Sequence, residues 1–132
     1  PVIIHNLKAS AAIVAAVRAT RFSQGGIVHA FSGSLEEAQA FIRCGFKIGI
    51  GSLLLNPAAK KARQAAAALS LEHIVLETDS PFMLKNETNT PANVRAIAET
   101  VAGLRGISVA ALSMQTEINV AQLLAFHTNP KK

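Results

Sequence analysis

Three side chains that can bind a metal ion lie where predicted strands end: His5, His29 and Asp79. His5 ends the first of four apolar runs, His29 lies near the end of the second, and Asp79 directly follows the fourth. Because the carboxyl ends of parallel strands line the ligand site of α/β proteins, we expect these side chains to face one mouth. Two imidazoles and a carboxylate suit Zn²⁺, Mn²⁺ or a similar divalent ion. A single histidine at a strand end is more often an ordinary hydrogen-bonded residue, but three such residues on three strands indicate a metal site.

Asp79 is the predicted catalytic residue. It leaves a buried-looking strand at a turn before Pro81, and burying a carboxylate without a counter-charge is costly, so an ionised Asp79 implies a cation partner. That position suits a ligand that also accepts the proton of an attacking water molecule. Glu77, earlier on the same strand, is either a structural group or the partner of a ligand.

The residues that must position this site form four short apolar runs rich in β-branched side chains. The runs lack the alternation of polar and apolar residues, which is typical of strands covered on both faces of a parallel sheet. They cover residues 2–5, 26–31, 46–51 and 73–78, and a helical pattern follows each one. This order predicts a parallel sheet, either open or closed into a barrel.

Capping residues and apolar spacing indicate the helices. Ser34, with Glu37 three residues later, forms the pattern of a capping box, and Gly45 and Gly106 are placed to end helices. The predicted helices cover residues 8–20, 35–44, 58–69, 91–105, 108–114 and 116–126, followed by a frayed tail at 127–132. No linker interrupts this order, so residues 1–132 are expected to form a single domain.

The composition indicates a compact globular protein with some affinity for polyanions. Half of the 132 residues are hydrophobic and only 16% are charged, which favours a packed core. The net charge of +5 gives weak support for a nucleic acid partner, because the positive charges form no run. No apolar window reaches the ~18 residues of a membrane helix and no signal-peptide pattern is visible, so we expect a cytoplasmic protein without a membrane partner.

Two segments carry a specific resemblance to a known family. Residues 26–34, GIVHAFSGS, resemble the V-H-x-F-[ST]-G-[ST] segment of the TatD family of metal-dependent deoxyribonucleases and related hydrolases. Residues 76–82, LETDSPF, are similar to that family's L-E-T-D-[SA]-P-[YF] segment. The resemblance implies an α/β fold of parallel strands, a (βα)4 unit that is the C-terminal half of a (β/α)8 barrel. It also implies one or two divalent metal ions (Mg²⁺, Mn²⁺ or Zn²⁺) held by His5, His29 and Asp79, and DNA phosphodiester hydrolysis by an activated water molecule.

The sequence departs from the family pattern at several ligands. The family's first strand carries a His-x-His pair and a middle strand carries a glutamate that bridges two metal ions, and neither has a counterpart in these 132 residues. The family's R-N-x-P-x-N loop is altered, with Lys85 in the basic place, then Asn86 and Glu87, and with Pro91 and Asn93 farther on. Half a barrel leaves two sheet edges exposed, so we expect the N-terminal half of the barrel or a second copy of the chain, in a homodimer, to cover them.

Four residues are predicted to contact substrate. Ser32, Gly33 and Ser34 lie at a helix N-terminus, where backbone N–H groups can bind phosphate. The alternative is an ordinary capped helix that binds no ligand. Asn93, in the altered loop, is the further candidate.

Three functions are compatible with these residues. The first is a metal-dependent DNase activity that belongs to a longer protein, favoured by the abrupt start at Pro1 before an apolar strand. The second is a catalytically incomplete module that self-associates through its exposed strands and binds metal or polyanion, favoured by the missing ligands. The third is an amidohydrolase-like enzyme acting on a small ester or amide, because similar His and Asp ligands serve that chemistry. The net charge of +5 mildly favours DNA over the third.

Overall fold

A computed structural model describes residues 1–125 and places four parallel strands side by side in one sheet. In sheet order, which is also chain order, they are β1 (Val2–His5), β2 (Gly26–His29), β3 (Phe46–Ile50) and β4 (Ile74–Leu76). Each adjacent pair is parallel, so the predicted parallel sheet and the order of its strands are confirmed.

Two strands end two residues earlier than their apolar runs suggested. β2 ends at His29, because Ala30 adopts a left-handed φ of 48° that turns the chain out of the sheet. β4 ends at Leu76, although the backbone N–H of Glu77 still donates to the carbonyl of Ile50 at 3.1 Å. The polar residues that follow these strands therefore leave the sheet at its carboxyl edge.

Five α-helices connect and follow the strands. They are α1 (Ser10–Ala19), α2 (Leu35–Arg43), α3 (Lys60–Ala68), α4 (Val94–Arg105) and α5 (Val109–Ala125), with short 3₁₀ helices at Ser52–Leu55, Leu71–His73 and Pro91–Asn93. The capping box is confirmed: the Glu37 N–H donates to the Ser34 hydroxyl and the Ser34 N–H to the Glu37 carboxylate, both at 3.2 Å. Gly45 (φ 87°) and Gly106 (φ 66°) take the left-handed conformation that ends a helix at low cost for glycine.

Two of the differences from the predicted helix boundaries have a clear local cause. The last helix is continuous from Val109 to Ala125, because the Thr116 hydroxyl bonds back to the carbonyl of Leu112 at 3.1 Å instead of capping a new helix. α3 begins at Lys60 rather than residue 58, since the side chain of Asn56 accepts the Ala58 N–H and holds a turn ahead of the helix. Residues 126–132, where the last predicted turn and the tail fall, lie outside the described residues.

The helices cover one face of the sheet and leave the other open at β1. Val28, Ile48 and Ile74 share a register position and are 0% exposed beneath the helices. On the opposite face, which we call the inner face, Ile3 is 74% exposed and His5 is exposed as well. Ile3 thus adds exposed apolar surface to the open part of the inner face.

Among residues 1–125, no single helix is long and apolar enough to cross a membrane. The segments Pro91–Arg105 and Val109–Ala125 meet a length and composition criterion only as a pair joined by a bend of 108°.

Candidate metal centre

His5 and His29 come together at the carboxyl edge of the inner face. β1 and β2 are in register, so the two residues are direct cross-strand partners. Nδ1 of His5 lies 2.8 Å from Nε2 of His29, and the ring centroids are 4.9 Å apart. One of these facing nitrogens must donate a proton to the other's lone pair, so together they hold a single proton that a cation could displace.

Glu77, directly after β4, reaches the same place, as is expected of a group that partners a metal ligand. Its carboxylate accepts the backbone N–H of Ala30 and lies 3.7 Å from Nδ1 of His29. Burial raises the pKa of Glu77 and the nearby Asp79 charge raises it further, while the Ala30 hydrogen bond and the His29 imidazole act in the opposite direction. Glu77 is therefore a half-buried carboxylate that faces the outer nitrogen of a candidate ligand.

Two glycines on and after β3 make room for that carboxylate. A Cβ atom at Gly49 would lie 2.5 Å from Oε2 of Glu77 and 3.0 Å from Cα of His29. A Cβ atom at Gly51 would lie 3.3 Å from Cγ of Glu77. The sequence G-I-G at this strand end thus forms a cradle that any side chain would fill.

Gly49→Ala is expected to destabilise the protein by about 1–3 kcal/mol, because the added methyl group overpacks Glu77 and the backbone of His29. Gly103→Ala is a matched control: a Cβ atom there meets nothing within 4 Å, and alanine in the middle of α4 should stabilise by about 0.5–1 kcal/mol. Urea unfolding of the two variants measures both effects. Equal stability of Gly49→Ala and the unsubstituted chain would contradict the cradle.

Asp79 follows β4 in a left-handed conformation, with φ of 55°. Its side chain is exposed and lines a cleft of ≈ 10 Å³ together with Ala30, Ser52 and Glu77. A volume of that size holds about one water molecule or ion and no larger ligand. Asp79 and Glu77 thus share a cleft beside the histidine pair.

The side chains of this region match a divalent ion in donor type, although no complete ligand group is formed. Imidazole nitrogens from His5 and His29 and carboxylate oxygens from Glu77 and Asp79 are the donors that Zn²⁺, Mn²⁺ and similar ions take. Within the described part of the chain, no three His, Cys, Asp or Glu side chains converge as a metal-binding group. The chain thus brings two of the predicted ligands into contact and places the third nearby.

Sequence reasoning missed Asn89, which holds the segment that carries Asp79. Asn89 is 2% exposed, and its Nδ2 lies 2.9 Å from the Ser52 hydroxyl, 2.7 Å from the Thr78 carbonyl and 2.8 Å from the Phe82 carbonyl. The Ser52 hydroxyl in turn donates to the Thr78 carbonyl at 2.8 Å. These bonds fix the backbone on both sides of Asp79.

A signal for Asn89 was present in the sequence. The spacing N-x-P-x-N recurs at Asn89, Pro91 and Asn93, so the loop departs from the R-N-x-P-x-N pattern only where Thr88 replaces the arginine. The side-chain amide of Asn93 donates to the side-chain oxygen of Asn89 at 2.7 Å, so Asn93 supports Asn89. By spacing, Asn89 fits the pattern better than Asn86, and substrate contact by Asn93 stays a prediction.

The predicted phosphate loop, residues 32–34, contains the capping box of helix α2. The hydroxyl and the backbone N–H of Ser34 are both bonded to Glu37, whose carboxylate also lies against Gly33. Ser32 is exposed at the carboxyl edge of the sheet, on the side of β3. The capping box of the alternative is therefore present, while substrate contact by Ser32, Gly33 and Ser34 stays a prediction.

Comparison with known proteins matches this geometry to one family. A family model described as TatD related DNase matches residues 1–125. The crystal structure of YjjV, a TatD homolog from Escherichia coli K12, resembles the chain with a TM-score of 0.86 and 29% identity, covering 93% of this chain and 49% of that one. A TatD family hydrolase from Entamoeba histolytica has a TM-score of 0.81 at 19% identity over 93% of this chain and 50% of that one, a likeness of fold alone. The predicted half of a (β/α)8 barrel is confirmed by these structures.

Curated relatives are about twice as long as the segment they share with this chain. An uncharacterized metal-dependent hydrolase of Haemophilus influenzae is 34% identical over 129 residues, which cover 95% of this chain and 49% of that protein. A protein named 3'-5' ssDNA/RNA exonuclease TatD, from Erwinia billingiae, is 32% identical over 108 residues, covering 75% of this chain and 41% of its own length. The chain spans about half the length of the relatives it matches.

Proposed function

This chain belongs to the family of TatD-related DNases, and on that premise we propose that it forms half of the active site of a metal-dependent hydrolase. The proposed reaction is hydrolysis of phosphodiester bonds in single-stranded nucleic acid, with DNA as the expected substrate. The observation that carries the proposal is the 2.8 Å contact between ring nitrogens of His5 and His29, beside the carboxylates of Glu77 and Asp79. The name of the Erwinia billingiae relative supports a single-stranded substrate.

His5, His29 and Asp79 are the proposed ligands of a divalent ion, for which Mg²⁺, Mn²⁺ and Zn²⁺ are the candidates. When bound, such an ion supplies Lewis acidity to a phosphoryl oxygen and lowers the pKa of a water molecule. Asp79 is exposed at the cleft, where it can accept the proton that the attacking water releases. Glu77 faces Nδ1 of His29 and orients the ring so that its other nitrogen points at His5.

The remaining ligands are proposed to come from four further βα units that cover the inner face. Two features support this: the outer edges of β1 and β4 carry no partner strand within residues 1–125, and Ile3 on the inner face is 74% exposed. Because the relatives are about twice as long, the N-terminal half of a longer polypeptide is the expected source. A second copy of the chain, in a homodimer, is the alternative. A cytoplasmic location stays a prediction.

Complementation tests this function. The chain would be mixed with the separately produced N-terminal half of the Haemophilus influenzae relative, and cleavage of a labelled single-stranded oligonucleotide followed with Mn²⁺, Mg²⁺ or a chelator. We expect products only with metal and with both halves present. Cleavage that survives the chelator would contradict the proposal. Hydrolysis of a small ester, with the oligonucleotide left intact, would favour the amidohydrolase-like alternative over it.

A further inference from the structure

A second, larger cleft adjoins the cleft of Asp79. Its volume is ≈ 350 Å³, and it is lined by Ser32, Leu53, Asn56, Ala58, Ala59, Lys60, Lys61 and Ala62. We call it the lysine cleft. Leu53 and Ala62 line both clefts, so the two share a wall at the carboxyl edge of the sheet.

The lysine cleft carries uncompensated positive charge. Lys60 and Lys61 are exposed, and neither forms an ion pair within residues 1–125. None of the residues that line this cleft is acidic. Glu37, an acid of the neighbouring helix α2, is engaged by the backbone N–H of Ser34 in the capping box. An anion in the lysine cleft therefore meets two free ammonium groups.

Helix stability does not account for these lysines. They occupy the first turn of α3, where the helix dipole disfavours positive charge by about 0.3–1 kcal/mol per residue. The first turn of α2 shows the opposite, stabilising choice, with Glu36 and Glu37. Residues that destabilise their own helix, without a packing contact that offsets the loss, are typical of functional surfaces.

We propose that the lysine cleft binds the backbone phosphate of a nucleic acid strand next to the phosphodiester that is cleaved. This inference rests on the proposed function and adds the path of the substrate. The Asp79 cleft, at ≈ 10 Å³, has no room for a neighbouring nucleotide, whereas the lysine cleft at ≈ 350 Å³ has room for a phosphate and its sugar. Contacts of this kind position a strand without reading its sequence, and the Ser32 hydroxyl can donate to the same phosphate.

The test measures binding of a fluorescent oligothymidylate to the 132-residue chain in chelator, at a series of salt concentrations. Lys60→Ala/Lys61→Ala is compared with Arg18→Ala/Arg43→Ala, which removes the same charge from exposed positions near the carboxyl ends of α1 and α2, at the opposite end of the sheet. We expect the lysine variant to bind several-fold more weakly. Its plot of log affinity against log salt should become less steep by about 0.7, the contribution of the one phosphate contact to a single strand that is lost.

Three outcomes would overturn the proposal: equal weakening in both variants, unchanged binding by the lysine variant, or no binding by the unsubstituted chain. Loss of binding through misfolding is checked by circular dichroism and by Lys60→Gln/Lys61→Gln, which removes the charges but keeps polar side chains of nearly the same length. Because binding is measured in chelator, it is independent of hydrolysis. If the chain binds through the lysine cleft but never cleaves in the complementation assay, the proposed function is wrong and the proposed binding site is still supported.

Discussion

Asp79→Asn should lower metal-dependent cleavage of a single-stranded oligonucleotide by at least about 100-fold in the complemented protein. Asparagine keeps the size of the side chain, but it removes the negative charge that would hold the cation and the oxygen that would accept a proton. The backbone should be unaffected, because Asn89 and Ser52 bond the carbonyl groups around Asp79 and leave its side chain exposed. Initial rates with saturating Mn²⁺, together with Mn²⁺ affinity by calorimetry, measure the two losses separately.

Glu87→Gln is the matched control for this variant. It makes the same change from carboxylate to amide at an exposed position of the same loop, outside the residues that line the Asp79 cleft. We expect its rate to stay within about twofold of the unsubstituted protein, as surface substitutions usually have small effects. If both variants lose activity equally, the loss reflects the charge of the loop, and Asp79 is not the catalytic residue.

The two histidines could be found from sequence because local pattern determines where a strand ends. Apolar runs free of polar alternation identified β1 and β2, and the rule that ligands gather at the carboxyl ends of parallel strands placed His5 and His29 at one mouth. The 2.8 Å contact between their rings could not be predicted in this way. It depends on the register of β1 with β2, which a run of apolar residues does not encode.

Glu77 and Asn89 could not be assigned roles from sequence because their partners are distant along the chain. Glu77 accepts the N–H of a residue 47 positions away, and Asn89 bonds a hydroxyl 37 positions away. A carboxylate next to a buried strand is compatible with many structural roles until the loop after β2 is placed beside it. Only the N-x-P-x-N spacing pointed to Asn89. The first asparagine of that pattern was assigned to Asn86, which lies in the same loop.

The same argument applies to the predicted phosphate loop. A helix N-terminus offers free N–H groups, and sequence cannot tell whether a ligand or the chain's own side chains satisfy them. Here the capping box satisfies the N–H groups of Ser34 and Glu37. Positive charge at the mouth lies instead on the neighbouring helix, at Lys60 and Lys61, where no capping side chain competes for the same space.

Asn89→Ala is expected to reduce the free energy of unfolding by about 2–4 kcal/mol. The substitution strands the Phe82 carbonyl and removes one of two donors to the Thr78 carbonyl, in a place where Asn89 itself is 2% exposed. It also frees the segment that carries Asp79, so the affinity for Mn²⁺ should fall by about 10- to 100-fold. Urea unfolding gives the stability, and calorimetry at a temperature where both proteins are folded gives the affinity.

A double-mutant cycle with Ser52→Ala measures the interaction energy between Ser52 and Asn89. The Ser52 hydroxyl accepts from Asn89 and donates to the Thr78 carbonyl, so the double variant should lose less stability than the two single variants added together, by about 0.5–3 kcal/mol. Thr88→Ala, at the exposed position just before Asn89, should change neither stability nor affinity. Additive losses, or a loss of stability with Mn²⁺ affinity unchanged, would show that Asn89 only fills space and does not position Asp79. A coupled loss of both would mean that the buried amide sets the geometry of the metal site from the far side of the loop.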